Sequence, residues 1–376
     1  MHDTDIAAAA ARIHADLPVV DGHNDLPWRL RSEASGDLAQ TNPAGHLPGF
    51  HTDIPRMLRG GVGAQFWSVY VPADIAAPFA ETMAQIDLVE RMVRSNPRLA
   101  MARTAAEALA IRREGKIACL LGAEGGHSIE GSLANLAALA QRGVRYLTLT
   151  HSDTLPWADS ATDERRHGGL TGFGCDVVRE MNRLGMLVDL SHVSVETMCD
   201  ALAVSTAPMI ASHSNAAALA PHPRNIPDDV LAAIGAAGGV VMTVFFPGFV
   251  VASTATVMVE MFATWRRVRV DLAGDETAIA AEMARIESGL AIDRGTVAAV
   301  VDHIEHIARI AGIEAVGLGS DFDGMTITPV GLEDVSCYPA ITEELLRRGW
   351  VEPDIRKVLG ENTMRVLAAA ETVAAG

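Results

Sequence analysis

Lysine is almost missing from this chain. Only Lys116 and Lys357 occur among 376 residues, so its basic character comes from arginine. Neither lysine ends an apolar run, which excludes a lysine from catalysis or metal bridging at a strand end. Cysteine is scarce as well: Cys119, Cys175, Cys199 and Cys337 are scattered without a Cys-x-x-Cys pair. That spacing argues against a zinc finger, a redox motif or a dense disulfide framework. No apolar stretch approaches the roughly 20 residues that a membrane helix needs, and the opening Met-His-Asp-Thr-Asp-Ile-Ala lacks the pattern of a secretion signal. Positive charge is in deficit, with a formal net charge of −17. Nucleic acid and anionic membranes, which require a basic footprint, are disfavoured as partners. The expectation is a cytoplasmic protein with neither a nucleic-acid nor a membrane partner.

What the chain does have is apolar content, 49% by count, enough for a large core. No linker-like tract, low-complexity block or short-period repeat divides it, so residues 1–376 are read as one domain. Short β-branched or apolar runs ended by Gly, Pro, Ser or Asp predict strands at 17–25, 63–71, 117–124, 144–151, 185–192, 207–213, 238–245 and 315–321. Helical patterns lie between most of them, at 80–94, 132–142, 174–184, 194–204, 228–236 and 294–310, with Ser194 and Asp228 as candidate caps. Eight alternating units predict a parallel (β/α)8 barrel, a TIM-type α/β fold, whose active site sits at the C-terminal ends of the strands. The chain is longer than the usual barrel of about 250 residues. The surplus falls before the second strand and around 252–293, where extra helices are expected.

Chemical residues cluster at those strand ends. The first strand delivers His23 and Asp25, two residues apart and therefore on one face. The third ends in Glu124, the fourth in His151, the fifth in His192, the sixth in His213 and the eighth in Asp321. A histidine at one strand end is commonly a hydrogen-bonded structural residue. Seven such groups on one rim are hard to explain as packing and point to metal. Imidazoles and carboxylates without thiolates suit zinc or a similar divalent ion, and seven donors are too many for one catalytic zinc. Two Zn2+ per chain are therefore expected. His23, Asp25 and Glu124 are assigned to one, and Glu124, His192 and His213 to the other, with Glu124 as the bridge.

Two ions about 3.5–4 Å apart can share a hydroxide and polarise a carbonyl, which points to hydrolysis. Outside the ligand set, His151 can stabilise an oxyanion and Asp321 can move protons between the attacking hydroxide and the leaving amine. Asp321 also reads as a ligand or a turn residue in Asp321-Phe-Asp-Gly324, and Asp323 competes for its role. Arg224, in His222-Pro-Arg-Asn225, reads either as a fork for a substrate carboxylate or as an ordinary surface arginine. Trp28 and Tyr70 can wall the pocket. His127, His167 and His222 are read as hydrogen-bonding or exposed loop residues.

The motifs taken together resemble the renal or membrane dipeptidases, a metallopeptidase branch of the amidohydrolase-like barrels. They include Asp21-Gly-His-Asn-Asp-Leu-Pro27, Gln65-Phe-Trp-Ser-Val-Tyr70, Leu147-Thr-Leu-Thr-His151, Val188-Asp-Leu-Ser-His192, Arg224-Asn-Ile-Pro-Asp-Asp229 and Gly319-Ser-Asp-Phe-Asp-Gly324. The resemblance covers nearly the whole chain. It implies hydrolysis of dipeptides at a binuclear zinc centre with the ligand roles given above, substrate binding by His151, Arg224 and Tyr70, and proton handling by Asp321. It further implies tolerance of a D-residue at the C-terminal position and a homodimer. Ser214-Asn-Ala-Ala217 stands where family members often carry an arginine, and Ser152-Asp153 where asparagine is common. The competing readings are another reaction on the same barrel, such as N-acyl amino acid deacylation or lactone hydrolysis, and a metal-binding protein without catalysis.

Overall fold

The computed structural model describes residues 3–375. Nine parallel strands form its sheet: β1 (Val19–Asn24), β2 (Val62–Ser68), β3 (Leu99–Met101), β4 (Ile117–Glu124), β5 (Val144–Thr148), β6 (Leu187–Asp189), β7 (Ile210–Ala211), β8 (Val240–Thr243) and β9 (Val316–Leu318). Eight of them close a barrel. The ring runs β1-β2-β4-β5-β6-β7-β8-β9 and returns through Asp21 opposite Leu318. Strand residues are buried on both faces, the pattern of a parallel sheet enclosed by helices, and this explains why the runs read as continuously apolar.

The exception to the expected topology is β3, which the sequence reading did not anticipate. It pairs with Ile117–Cys119 of β4, while β5 takes over the same edge from Leu121 onward. Three residues flanked by Pro97 and Arg98 on one side and by Arg103 on the other give too short an apolar signal to stand out.

Two layers of apolar residues build the core. Val20, Ala64, Phe66, Ala118, Leu120, Tyr146 and Met242 belong to one buried cluster, together with Val366 and Leu367 of the C-terminal helix Asn362–Ala375. Val19, Cys119, Leu121, Leu147 and Val188 belong to the other, with residues of the surrounding helices. Alternate strand residues thus serve alternate layers. Tyr146 is accommodated because Gly122 faces it: a Cβ there would stand 1.9 Å from the Tyr146 Cζ.

Helices occupy the expected intervals, at Pro78–Arg94, Leu133–Gln141, Gly172–Leu184, Val195–Val204, Asp228–Ala236 and Val297–Ala311. Ser194 caps its helix, accepting from Thr197 N. Asp228 does not: it is the first helical residue behind Pro227, and its Oδ1 instead pairs with His306 Nε2 at 2.7 Å. The surplus length forms helices Leu26–Ala34 and Ile54–Arg59 before β2, and Ala252–Asp271 and Glu276–Ser288 between β8 and β9. Among the described residues, no helix is long and apolar enough to cross a membrane. All four cysteines are free, with Cys119 buried.

Candidate metal centre and active site

Most of the barrel strands are shorter than the apolar runs predict, so several site residues stand on the turns just beyond them. β5 stops at Thr148, three residues before His151, and β6 stops at Asp189, three before His192. His213 follows β7 by two residues, and Asp321 follows β9 by three. His192 and Asp321 hold left-handed backbone, with φ of 68° and 65°, a conformation that L-residues adopt at a cost and that marks sites where geometry is imposed. Asp321 N donates to His23 O at 3.2 Å, which ties the turn after β9 to β1 at the rim.

The side chains converge around Glu124. Its Oε2 lies 3.4 Å from His23 Nε2, and His23 Nε2 lies 3.2 Å from Asp25 Oδ2. Its Oε1 lies 3.0 Å from His192 Nε2 and 3.4 Å from His213 Nε2. The sets His23, Glu124 and His213, then Glu124, His151 and His192, and then His23, Asp25 and Asp321 each bring ligand atoms within 4.8 Å of one another. His151, placed outside the ligand set by the sequence reading, therefore lies inside the same cluster, its Nε2 3.9 Å from Glu124 Oε1. Gly324 makes room for the two aspartates: a Cβ there would stand 2.3 Å from Asp25 Oδ2 and 2.5 Å from Asp321 Oδ1.

The electrostatics match the crowding. Burial opposes charge on His23, yet Tyr146, Glu124 and Asp25 outweigh it and hold the imidazole well above its ordinary value. Burial, the Arg224 cation and the neighbouring imidazoles hold His192 and His213 well below theirs. Glu124 is held well below the usual carboxylate range, burial being overcome by His23 and by a hydrogen bond with His192. Burial, reinforced by the Asp25 charge, pushes Asp321 well above that range. The surroundings of His23 and Glu124 favour positive charge, and those of His192 and His213 keep imidazoles neutral with lone pairs free, which is the form in which histidine coordinates a cation. The donors are imidazole nitrogens and carboxylate oxygens, and Asp25 Oδ1 is buried without a partner among the described residues. This set fits divalent metal of the zinc type.

Around the cluster stand the remaining residues singled out in the sequence. Arg224 is no surface arginine: it is 1% exposed, donating through Nη1 to Ser214 Oγ at 3.2 Å and through Nη2 to His213 O at 3.1 Å. Its guanidinium lies 5.1 Å from the Phe249 ring, its Nε has no partner among the described residues, and burial lowers its pKa to about 10. Tyr70 packs 4.8 Å from the His151 ring and edge-on to Trp28 at 5.4 Å. Asp323 turns away from the cluster, its Oδ1 accepting from His51 N at 2.8 Å and Arg29 Nη1 at 3.0 Å. His127 contacts Val71 O at 2.8 Å, His222 accepts from Arg224 N at 3.1 Å, and His167 is exposed against Leu155 O at 3.0 Å. His167 and His222 stand in loops as expected, whereas His127 lies in the short 3-10 helix Gly126–Ile129.

The sequence reading missed the polar residues beneath the candidate ligands. Tyr146 Oη meets His23 Nδ1 at 2.8 Å, and Ser212 Oγ meets His213 Nδ1 at 2.8 Å with Asp189 behind it at 2.7 Å. The signal was in view, since Ser212 directly precedes His213 and Asp189 stands two residues after Leu187 on a strand otherwise apolar.

Comparison with known proteins decides the family, because the membrane dipeptidase model, peptidase family M19, matches residues 7–376. The chain belongs to that family. As a membrane dipeptidase family member it is a metallopeptidase and a hydrolase. A metallopeptidase from Rhodobacter sphaeroides, solved with a phosphinate mimic of the dipeptide L-Ala-D-Ala, is 28% identical with a TM-score of 0.75, over 94% of this chain and 99% of that one. The dipeptidase AC of family M19 gives the same identity and TM-score over 94% and 98%. The probable dipeptidase PvdM of Pseudomonas aeruginosa superposes with a TM-score of 0.85 over 99% and 100% at 22% identity, a likeness of fold alone.

Proposed function

We propose that this member of the family hydrolyses the peptide bond of dipeptides, those with a C-terminal D-residue included, with two zinc ions per chain. His23, Asp25 and Glu124 hold one ion; Glu124, His192 and His213 hold the other. Such a pair, when bound, polarises the scissile carbonyl and makes water a nucleophile near neutral pH. The observation that carries this reading is the division of Glu124, one oxygen turned to His23 and the other to His192 and His213. That is how a bridging carboxylate is disposed.

The chain's own residues supply the rest. Asp321, beside His23 and Asp25 on the rim, takes the proton of the attacking water and returns it to the leaving amine. His151, at the more open edge of the cluster, donates to the oxyanion of the tetrahedral intermediate. Arg224 receives the substrate's C-terminal carboxylate through its unpartnered Nε and adjoining N–H groups. Tyr70, backed by Trp28, walls the pocket beside His151 and contacts substrate. The ligand of the Rhodobacter relative supports the stereochemistry. We read residues 1–376 as one domain in the cytoplasm and, on family likeness, the protein as a homodimer; cell fractionation tests the location and light scattering the assembly.

The test is amino-acid release from a library of L-Xaa-L-Xaa and L-Xaa-D-Xaa dipeptides by zinc-loaded protein, with Asp321→Asn as control. Turnover falling by about 10²- to 10⁴-fold in the variant, with metal retained, supports the reading. Two bound metals without dipeptide turnover overturn it, and turnover of N-acyl amino acids or lactones in the same assay replaces it.

A further inference from the structure

Each of the two proposed ions owns one histidine whose far nitrogen is gripped from below, and the two grips are built from different residues. For His23 the partner is Tyr146, fully buried inside the barrel. The Tyr146 hydroxyl has one hydrogen, which it donates to Gly22 O at 3.2 Å, since a carbonyl can only accept. At its contact with His23 Nδ1, 2.8 Å away, the phenol oxygen must then accept, so the hydrogen there belongs to the imidazole. With Nδ1 protonated, the proton that the ring yields to a metal leaves from Nε2, whose lone pair then faces Asp25 Oδ2 and Glu124 Oε2.

For His213 the same logic runs through Ser212. Ser212 Oγ donates to Asp189 Oδ2 at 2.7 Å, a closer partner than Ser191 Oγ at 3.5 Å. Asp189 is itself fixed, accepting from Thr148 Oγ1 at 2.6 Å, Ser212 N at 2.8 Å and Ser191 N at 3.1 Å. The serine oxygen therefore accepts from His213 Nδ1 at 2.8 Å, and the Nε2 lone pair faces Glu124 Oε1 and His192 Nε2. His192 has no such grip: its Nδ1 is buried without a partner among the described residues.

We propose that Tyr146 and the Ser212–Asp189 pair are positioning residues, each locking one ligand histidine in the Nδ1–H tautomer and each serving a different metal ion. The inference rests on the two-ion reading given above. Partners of this kind fix ring orientation and raise ligand basicity, and their loss costs about 10- to 100-fold in metal affinity. Because the two grips share no residue, their losses are separable. A generic packing role does not predict that separation.

The experiment titrates the metal-free full chain with Zn2+ against a chromophoric chelator, for the wild type and for Tyr146→Phe, Ser212→Ala and Ser212→Thr, with anomalous diffraction assigning each ion. Tyr146→Phe is expected to weaken the ion at His23 and Asp25 by about 10- to 100-fold and to leave the ion at His192 and His213 unchanged. Ser212→Ala does the reverse, and Ser212→Thr, which keeps the hydroxyl, restores it. Unchanged affinities in both variants, or equal weakening of both ions in either, overturn the proposal. If the wild type binds no pair of ions at these residues, the two-ion reading has failed, and the wild-type titration alone reveals that. Should a variant fail to fold, long-range 1H–15N spectra of metal-free wild type decide instead. His213 must show the Nδ1–H tautomer, and an Nε2–H form overturns the proposal.

Discussion

The Nε2 atoms of His192 and His213 face each other across 2.9 Å, with Glu124 Oε1 3.0 Å from the first and 3.4 Å from the second. Both rings are held in their neutral form, so each has one ring proton to place. Ser212 engages the far nitrogen of His213, and His192 Nδ1 has no partner among the described residues, so without metal the His192 proton stands on Nε2 facing Glu124 and His213, where a cation would take its place.

Metal removal should therefore cost stability as well as activity. A ligand bound only by the native state contributes about 4 kcal/mol at a free concentration 1,000 times its dissociation constant. Dialysis against a strong chelator is expected to lower Tm by several degrees, and two equivalents of Zn2+ per chain should restore it. Glu124→Gln, which keeps the shape but loses the charge shared by both sets, should lose both ions and abolish turnover. A chelated protein that melts like the untreated one while metal analysis shows depletion would count against the centre.

Much of this cluster was legible because every strand after which a proposed ligand stands carries a strong apolar run into a His or an acid, as in Val188-Asp-Leu-Ser-His192. The left-handed turns at His192 and Asp321 were not legible, since neither position carries glycine to announce them. The burial of Arg224 was invisible for a different reason: Pro221, Pro223 and its charge all read as surface, and only the fold brings Phe249 and Ser214 against it. The shortness of β7, two residues where seven were expected, shows that an apolar run marks burial rather than strand pairing. β3 escaped for the opposite reason, being paired but too short to pattern.

Arg224 should discriminate charged from neutral substrate ends. A hydrogen bond to a charged group contributes about 1.5–3 kcal/mol, so Arg224→Met should lower kcat/KM for free dipeptides by about 10- to 150-fold. Dipeptide C-terminal amides, which lack the carboxylate, should start lower and change little. Arg224→Lys is expected to resemble Arg224→Met, because an ammonium cannot reproduce the fork that also holds Ser214 and His213 O. Equal losses on acids and amides would assign the arginine a purely structural part.

Gly324 provides a steric test of the carboxylate pair. Its missing side chain leaves space that Asp25 Oδ2 and Asp321 Oδ1 both approach. Gly324→Ala should displace one of them, at a cost of about 1–3 kcal/mol in stability. The ion at His23 and Asp25 should weaken more than its neighbour, because Glu124, His192 and His213 lie outside the contact. Metal titration beside a denaturant melt separates the two effects.

Acid should unfold the metal-free chain through its buried histidines. His303 is satisfied as a neutral ring, with Nε2 toward Val250 O at 3.0 Å and Nδ1 accepting from Ala216 N at 3.2 Å, and His14 meets Thr342 Oγ1 at 2.8 Å. Burial pushes both imidazoles down to about 4. A base with a depressed folded pKa binds its proton more readily when unfolded. Its stabilising share is therefore fully present above about pH 6.5 and is lost as pH falls toward 4, at about 1.4 kcal/mol per pH unit for each ring. His51, down to about 4, and His222, down to about 3, act in the same direction. Asp323 opposes them: burial raises its carboxyl to about 6, so the folded state gains from protonating it over the same interval. Burial also lowers His127, His151, His192 and His213 and raises Asp21, Asp321 and Glu371, while His23 is raised, so the lowered rings outnumber the groups that oppose them and set the sign. Urea midpoints measured with chelator at pH 7, 6 and 5 should fall steadily. A His303→Gln variant, though less stable at pH 7, should show a shallower slope; a slope equal to the wild type's would place the acid sensitivity elsewhere.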